Sequence, residues 1–100
     1  MYRGTTPTLT FQLPIDTGSI TVLSIAVAQA GQVKIEKTLP DVHLDGNVVS
    51  CTLTEAETLS LTAGRGIDAK IQLRVGVGGQ RMASQVFTVP VERNLRDGAL

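Results

Sequence analysis

The last third of the chain alternates apolar and polar residues over two long stretches. Apolar side chains occupy every odd position of residues 67–77, and polar ones occupy the even positions as far as Arg74. After Gly78–Gly79, residues 81–92 form a second extended stretch in which one parity carries Phe87, Val89 and Val91. A period of two is typical of a strand with one buried and one solvated face. Two such stretches around a glycine pair predict a long antiparallel hairpin.

The same parity predicts how the two strands of this hairpin are aligned. A strict two-residue turn at Gly78–Gly79 would place Ile71 opposite Val86 and would turn Phe87 toward solvent. Burying a phenylalanine instead of exposing it favours the folded state by about 1.5–3 kcal/mol. We therefore predict either a three-residue loop over residues 78–80 or a two-residue turn with a bulge near Ser84–Gln85, because either pairs Ile71 with Phe87.

Shorter stretches of the same kind fill most of the remaining chain. They predict strands over residues 8–13, 20–28, 33–38 and 47–53, and residues 39–45 are either irregular or a short edge strand. Residues 16–19 and 29–32 are typical turns, and Asp45–Gly46 is a strong hairpin signal. Pro90 lacks a backbone donor, so its strand is predicted to lie at a sheet edge or to turn that position outward.

The pattern changes after the strand that ends near Leu53. Thr54 and Glu57 have the spacing of a capping box, in which each side chain bonds the other residue's backbone amide. We predict one or two helical turns from about Glu55 to Leu59 that cross from one sheet to the other. Gly64-Arg65-Gly66 is expected to end this crossing.

Together these elements predict an all-β fold, an immunoglobulin-like antiparallel β-sandwich of six to eight strands with one short helical cross-over turn. Residues 1–93 form the single sandwich domain, and residues 94–100 form a C-terminal tail without periodicity. Shared parity predicts one common core of Phe11, Leu23, Ile25, Val27, Cys51, Leu53, Ile71, Leu73 and Phe87.

Composition narrows the classes of function. The chain of 100 residues has nine basic and nine acidic residues and only three aromatic rings. A neutral chain with few rings has neither the field nor the stacking surfaces that nucleic acids require, so no nucleic-acid partner is expected. The sequence has no apolar segment of signal-peptide or membrane-span length, so no membrane partner is expected either. Cys51 is the only cysteine and is predicted to be a small buried apolar residue.

Three motifs resemble chemical sites, and each has a simpler structural interpretation. The spacing of Asp41, His43 and Asp45 resembles the start of a calcium loop, but His43 stands where that loop needs an oxygen ligand and Thr52 where it needs a bidentate glutamate. Gly76, Gly78 and Gly79 precede a strand rather than the helix that a phosphate loop opens. Glu55 and Glu57 are two apart on a helical turn and face different ways. We therefore assign no catalytic, metal-binding or cofactor-binding residue and expect no enzyme activity.

Two groups of residues are candidates for protein interaction. Lys70 and Arg74 lie on the solvated face of a strand. Unpatterned chain ends seldom keep apolar residues unless something covers them, which singles out Tyr2, Arg3, Leu95 and Leu100. We expect the tail to be disordered or packed on another chain.

Four stretches carry a resemblance to known proteins: Tyr2 to Thr8, Leu44-Asp45-Gly46-Asn47, Leu53-Thr54 and Ile71-Gln72-Leu73-Arg74. They resemble those of a family of small proteins of similar length encoded by phages and prophages of Gram-positive bacteria. The opening is also similar to the N-terminal immunoglobulin-like domain of phage baseplate upper proteins. The resemblance implies a structural or assembly protein of the virion, near the tail or baseplate, without catalytic residues.

On this interpretation the protein is made in the host cytoplasm and is incorporated in the virion. Its partners would be other virion or assembly proteins, including further copies of itself. The alternative is a sandwich that binds a ligand such as a carbohydrate, which a concave groove lined with aromatic rings would indicate.

Overall fold

A computed structural model of the chain describes residues 1–64, 67–96 and 98–100. Its strands are β1 Thr8–Gln12, β2 Val22–Gln29, β3 Gln32–Thr38, β4 His43–Asp45, β5 Val48–Thr52, β6 Ala69–Val77, β7 Gln80–Ala83 and β8 Phe87–Val89. They form two antiparallel sheets, the first in the order β1-β5-β4 and the second in the order β3-β2-β6-β7, with β8 also paired to β6. One short helix, α1, Glu55–Leu59, lies in the connection from β5 to β6.

This strand order is that of an immunoglobulin-like sandwich. In that fold one sheet contains strands A, B, E and D, and the other contains C and its additions with F and G. Here β1, β5 and β4 take the places of B, E and D, while β3, β2, β6 and the β7–β8 pair take those of C′, C, F and G. The predicted all-β fold is confirmed. In the described part of the chain, no strand of the first sheet occupies the place of strand A, next to β1.

Two of the hairpins have two-residue turns of different types. Ala30 and Gly31 between β2 and β3 both have positive φ, 51° and 74°, which is the type I′ geometry. Between β4 and β5, Asp45 pairs with Val48, so the turn residues are Gly46 and Asn47, of which only Gly46 has positive φ. The turn predicted at Asp45–Gly46 is therefore one residue too early, because Gly46 is the first central residue of a type II′ turn.

In the β6–β7–β8 region the structure has the second of the two predicted alternatives, a two-residue turn followed by a bulge. Val77 pairs with Gln80 across a two-residue turn, and Arg74 pairs with Ala83. Farther along β6, Ile71 pairs with Phe87. From Arg74 to Ile71 the pairing advances three residues along β6, but from Ala83 to Phe87 it advances four along the partner strand. One extra residue is therefore accommodated between Ala83 and Phe87. This is the two-residue turn with a bulge, and the bulge divides the predicted second strand into β7 and β8.

Pro90 directly follows β8 and lies at an edge, as predicted. Among the described strands, β8 pairs only with β6. The carbonyl oxygen of Pro90 accepts a hydrogen bond from the amine of Met1 at 2.7 Å. Phe87 and Val89 face β6, whereas Pro90 faces away from it toward Met1, so its missing donor leaves the β6–β8 ladder intact.

The helix α1 carries the chain from the first sheet to the second. The Thr54 hydroxyl accepts a hydrogen bond from the Glu57 amide at 3.1 Å, and Glu57 Oε1 accepts one from the Thr54 amide at 2.8 Å. This is the predicted capping box, and it fixes the start of a helix too short to be stable alone. The predicted end of the crossing includes residues 65 and 66, which lie outside the described residues.

The core lies between the sheets and consists almost entirely of aliphatic side chains. Eight of the nine predicted core residues are buried, with Ile25, Val27 and Leu53 fully enclosed. Phe87 is the exception, because its side chain is 41% exposed. It lies on the inner face, opposite the buried Ile71, but at an edge where the first sheet does not extend over it.

Candidate interaction surfaces

The outer face of the second sheet carries Lys70 and Arg74. Along β6 they alternate with buried residues, and on β2 their neighbours are the small residues Ala28 and Ser24. Both basic side chains are exposed, as predicted. On the far side of β2, Glu36 of β3 lies opposite Ala26, so the face carries charges of both signs.

The second group of candidate residues belongs to the two ends of the chain, and within it Arg3 differs from the others. Tyr2 is 52% exposed, and Leu95 and Leu100 are fully exposed. The Arg3 guanidinium instead donates to the Leu59 carbonyl at 2.8 Å, at the end of the helix. Arg3 therefore has an internal role, whereas the other three side chains are accessible to a partner.

The tail touches the domain without burying its leucines. Asn94 Nδ2 donates to the Arg3 carbonyl at 2.7 Å, and the Leu100 amide donates to Glu55 Oε2 at 3.3 Å. The leucine side chains of residues 95 and 100 are not covered by the described residues. Residue 97 of the predicted tail lies outside the described residues, and packing of the tail on another chain stays a prediction.

A third surface, an apolar groove between the two sheets, was not anticipated from the sequence. It has a volume of about 370 Å³ and runs between the end of β1 and the strand β7. Leu13, Pro14 and Ile15 line one wall, and Met82 with Leu73 and Val75 lines the other. Residues 13–15 follow β1, although Leu13 is predicted to be the last residue of that strand, and Met82 pairs with Val75 of β6.

Partly exposed apolar side chains lie along the same edge of the second sheet, and one of them, Met82, lines the groove. Met82 is 37% exposed, Phe87 41% and Val86 50%. Phe87 contacts Phe11 across the gap between the sheets, with ring centroids 6.1 Å apart and planes inclined at 57°. The only described pair of rings is thus tilted and turned partly inward, and it offers no flat platform of the kind on which sugars stack.

The altered pKa values of the titratable groups have structural causes, either burial or hydrogen bonds within the fold. Burial raises the pKa of the Cys51 thiol, in agreement with its predicted place in the core. Hydrogen bonds from the Thr38 backbone amide and hydroxyl lower the pKa of Asp41, whose carboxylate caps a 3-10 turn at Leu39–Asp41. Asp41 therefore has a capping function in the stretch that resembles the start of a calcium loop.

Glu57 joins α1 to β3 by an ion pair. Its Oε1 atom lies 2.7 Å from Lys37 Nζ. Partial burial by itself would raise the pKa of the Glu57 carboxyl. The bonds from Lys37 and from the Thr54 amide together outweigh that effect and hold the pKa below its ordinary value.

The described residues contain neither a metal-binding cluster nor a membrane-spanning helix, and comparison with known proteins found no match. Within residues 1–64, 67–96 and 98–100, no group of three or more His, Cys, Asp or Glu side chains is placed to hold a metal ion. Over the same residues, no helix has the length and apolar character needed to cross a membrane. No model of a known protein family, no curated protein and no solved structure matched the chain.

Proposed function

We propose that this protein is a non-catalytic interaction module that works by assembling with other proteins. The observation that carries the proposal is the apolar groove beside β1 and β7, together with the partly exposed Met82, Val86 and Phe87. Scattered apolar residues are normal on a protein surface, whereas an apolar groove with further exposed apolar side chains along the same sheet edge is typical of a protein interface. Aromatic residues and methionine are enriched in such interfaces.

The other exposed candidates fit the same role. Tyr2, Leu95 and Leu100 present apolar surface at the chain ends, and Lys70 and Arg74 supply charge on the outer face of the second sheet. Charged residues around apolar contacts give an interface its specificity more than its affinity. The resemblance to phage and prophage proteins supports a virion or its assembly as the setting of these contacts.

The carbohydrate-binding alternative has less support. The groove is lined by aliphatic and small polar side chains, and the Phe11–Phe87 pair is tilted. Sugar recognition by a sandwich would favour exposed rings with a common plane.

The test is co-expression of the chain with the products of the genes adjacent to its own, followed by purification and mass determination by light scattering. We expect a complex of defined stoichiometry that Met82→Glu weakens, because a charge would be placed in the apolar groove. Val33→Glu is the matched control, since Val33 is also an exposed apolar residue of an edge strand but lies away from the groove.

Two results would count against the proposal. One is failure of the chain to form a complex with any of these products or with itself. The other is a complex that Met82→Glu and Val33→Glu weaken equally.

A further inference from the structure

Three of the four sheet edges carry the features that keep edge strands from pairing with other chains. The edge strand β3 contains a bulge and the charged residues Lys34 and Glu36. The edge strand β4 has only three residues, two of which are His43 and Asp45. The edge formed by β7 and β8 is interrupted by a bulge and carries Arg81. Bulges, charges and short length are the common protections against edge-to-edge association.

The fourth edge, β1, has none of these protections. Its sequence Thr-Leu-Thr-Phe-Gln has no charge and pairs regularly with β5 over all five residues. The prolines Pro7 and Pro14 lie outside it, at its two ends. In an immunoglobulin sandwich strand A would cover this edge.

The backbone groups at this edge are available for pairing. The Leu13 amide donates to the Asn47 carbonyl at 2.7 Å, and the Leu53 amide donates to the Pro7 carbonyl at 2.9 Å. In an antiparallel ladder alternate residues bond to the same side, so the odd residues of β1 face β5 and the even ones face away. The N–H and C=O groups of Thr8, Thr10 and Gln12 have no hydrogen-bond partner among the described residues.

We propose that a second copy of this chain occupies the β1 edge and forms a symmetric dimer with an antiparallel β1–β1 pair. The twofold axis passes beside Thr10, so that Thr10 faces Thr10 of the partner copy and Thr8 faces its Gln12. This alignment pairs all three residues with outward-facing backbone groups, for about six hydrogen bonds. A shift by two residues loses pairs, and it brings the donorless Pro14 toward the ladder.

Two observations favour a second copy as the occupant. The strand is uncharged, so it meets an identical strand without like charges facing each other. The apolar groove also begins at the same edge, where Gln12 and Leu13 face Met82. A partner strand beside β1 would bring its partly buried Leu9 toward the edge where Phe87 is exposed, so one partner satisfies the free backbone groups and covers apolar surface.

This inference rests on the proposed interaction function, and its test is independent of the neighbouring genes. Sedimentation velocity over a range of concentrations should show a reversible dimer of the wild-type chain. Thr10→Lys and Thr10→Glu should each weaken association by about tenfold or more, because like charges would face each other at the axis. Mixing the two variants in equal amounts should restore dimers, since residue 10 of one copy then faces the opposite charge.

Thr10→Val is the matched control, because it keeps the size, neutrality and strand preference of Thr10, and it should dimerise like the wild type. Thr10 is exposed, so circular dichroism should show that all variants fold. A wild type that stays monomeric, a Thr10→Lys dimer of unchanged affinity, or a mixture that fails to associate would each overturn the proposal. Complexes with neighbouring gene products would still support the interaction function in these cases, so the two failures are distinguishable.

Discussion

At the scale of single residues, polar side chains replace backbone partners where the strands become irregular. The Ser84 hydroxyl accepts a hydrogen bond from the Leu73 amide at 3.0 Å, within the bulge. The buried Gln29 amide group donates to the Thr62 carbonyl at 2.8 Å and accepts from the Thr62 amide at 2.7 Å. The buried Thr58 hydroxyl bonds both backbone groups of Thr5. In each of these three places a side chain bonds backbone groups that no strand ladder pairs.

Ser84→Ala should destabilise the protein by about 1–3 kcal/mol, because the amide of the buried Leu73 would lose its acceptor. Urea unfolding gives the change in free energy, and hydrogen exchange should show faster exchange of the Leu73 amide. Ser84→Thr keeps the hydroxyl and is the control. An unchanged exchange rate at Leu73 in Ser84→Ala would show that the hydroxyl is not needed to protect this amide.

Glu57→Gln should reduce the dependence of stability on pH in the acidic range. The pKa of Glu57 is lowered in the folded protein, so its contribution is present above the unfolded pKa and is lost as pH falls through the folded pKa. Wild-type stability should therefore decline more steeply than that of Glu57→Gln between about pH 5 and about pH 3. Parallel curves from urea unfolding across this range would exclude a role for the Lys37–Glu57 pair.

At the scale of elements, the sequence predicts which face of a strand is buried better than it predicts where strands and turns begin and end. Parity identified the inner residues of β2, β5 and β6, because a one-residue shift would expose a whole row of apolar side chains. The same reasoning required an extra residue between β6 and β8, which is the observed bulge. Boundaries depend on local geometry that several residue types can adopt, so the turn at Gly46–Asn47 and the extension of β2 to the buried Gln29 were missed.

At the scale of the whole molecule, burial depends on what the opposite sheet covers. Leu73 and Phe87 both face inward, yet Leu73 is 2% exposed and Phe87 is 41% exposed. A period of two shows which side of its sheet a residue faces, but it carries no information on how far the other sheet extends. The apolar groove was unpredictable for the same reason, since it forms between residues 13–15 and β7, which are remote in the sequence.

The difference in exposure between Leu73 and Phe87 predicts that truncating these side chains lowers the free energy of unfolding of the monomer by unequal amounts. Leu73→Ala should cost about 2–5 kcal/mol because it leaves a cavity in a closed core. Phe87→Ala should cost less, about 1–2 kcal/mol, because much of the ring is already in contact with water. Urea unfolding at protein concentrations low enough to prevent association measures both values. Equal costs would mean that Phe87 is as enclosed as Leu73.

The ends of the domain are joined by two short segments that run side by side. Tyr2 bridges Glu92 in parallel, the Arg3 amide donates to the Glu92 carbonyl at 3.0 Å, and the Glu92 amide donates to the Met1 carbonyl at 2.7 Å. Glu92→Pro removes one of these donors and displaces the Met1 carbonyl bound to it, whereas the exposed Glu92 side chain itself packs in no core. In single-molecule pulling, the unfolding force should fall by a larger fraction than the unfolding free energy measured in urea.

The reason is mechanical. Parallel segments leave their pairing in opposite directions, so tension along the chain loads both hydrogen bonds together, in shear, rather than opening them one after the other. Equal fractional losses of force and free energy in Glu92→Pro would show that the bridge bears no load. Force applied to the two ends of the chain therefore acts on the hydrogen bonds of the Tyr2–Glu92 bridge before it acts on the two sheets.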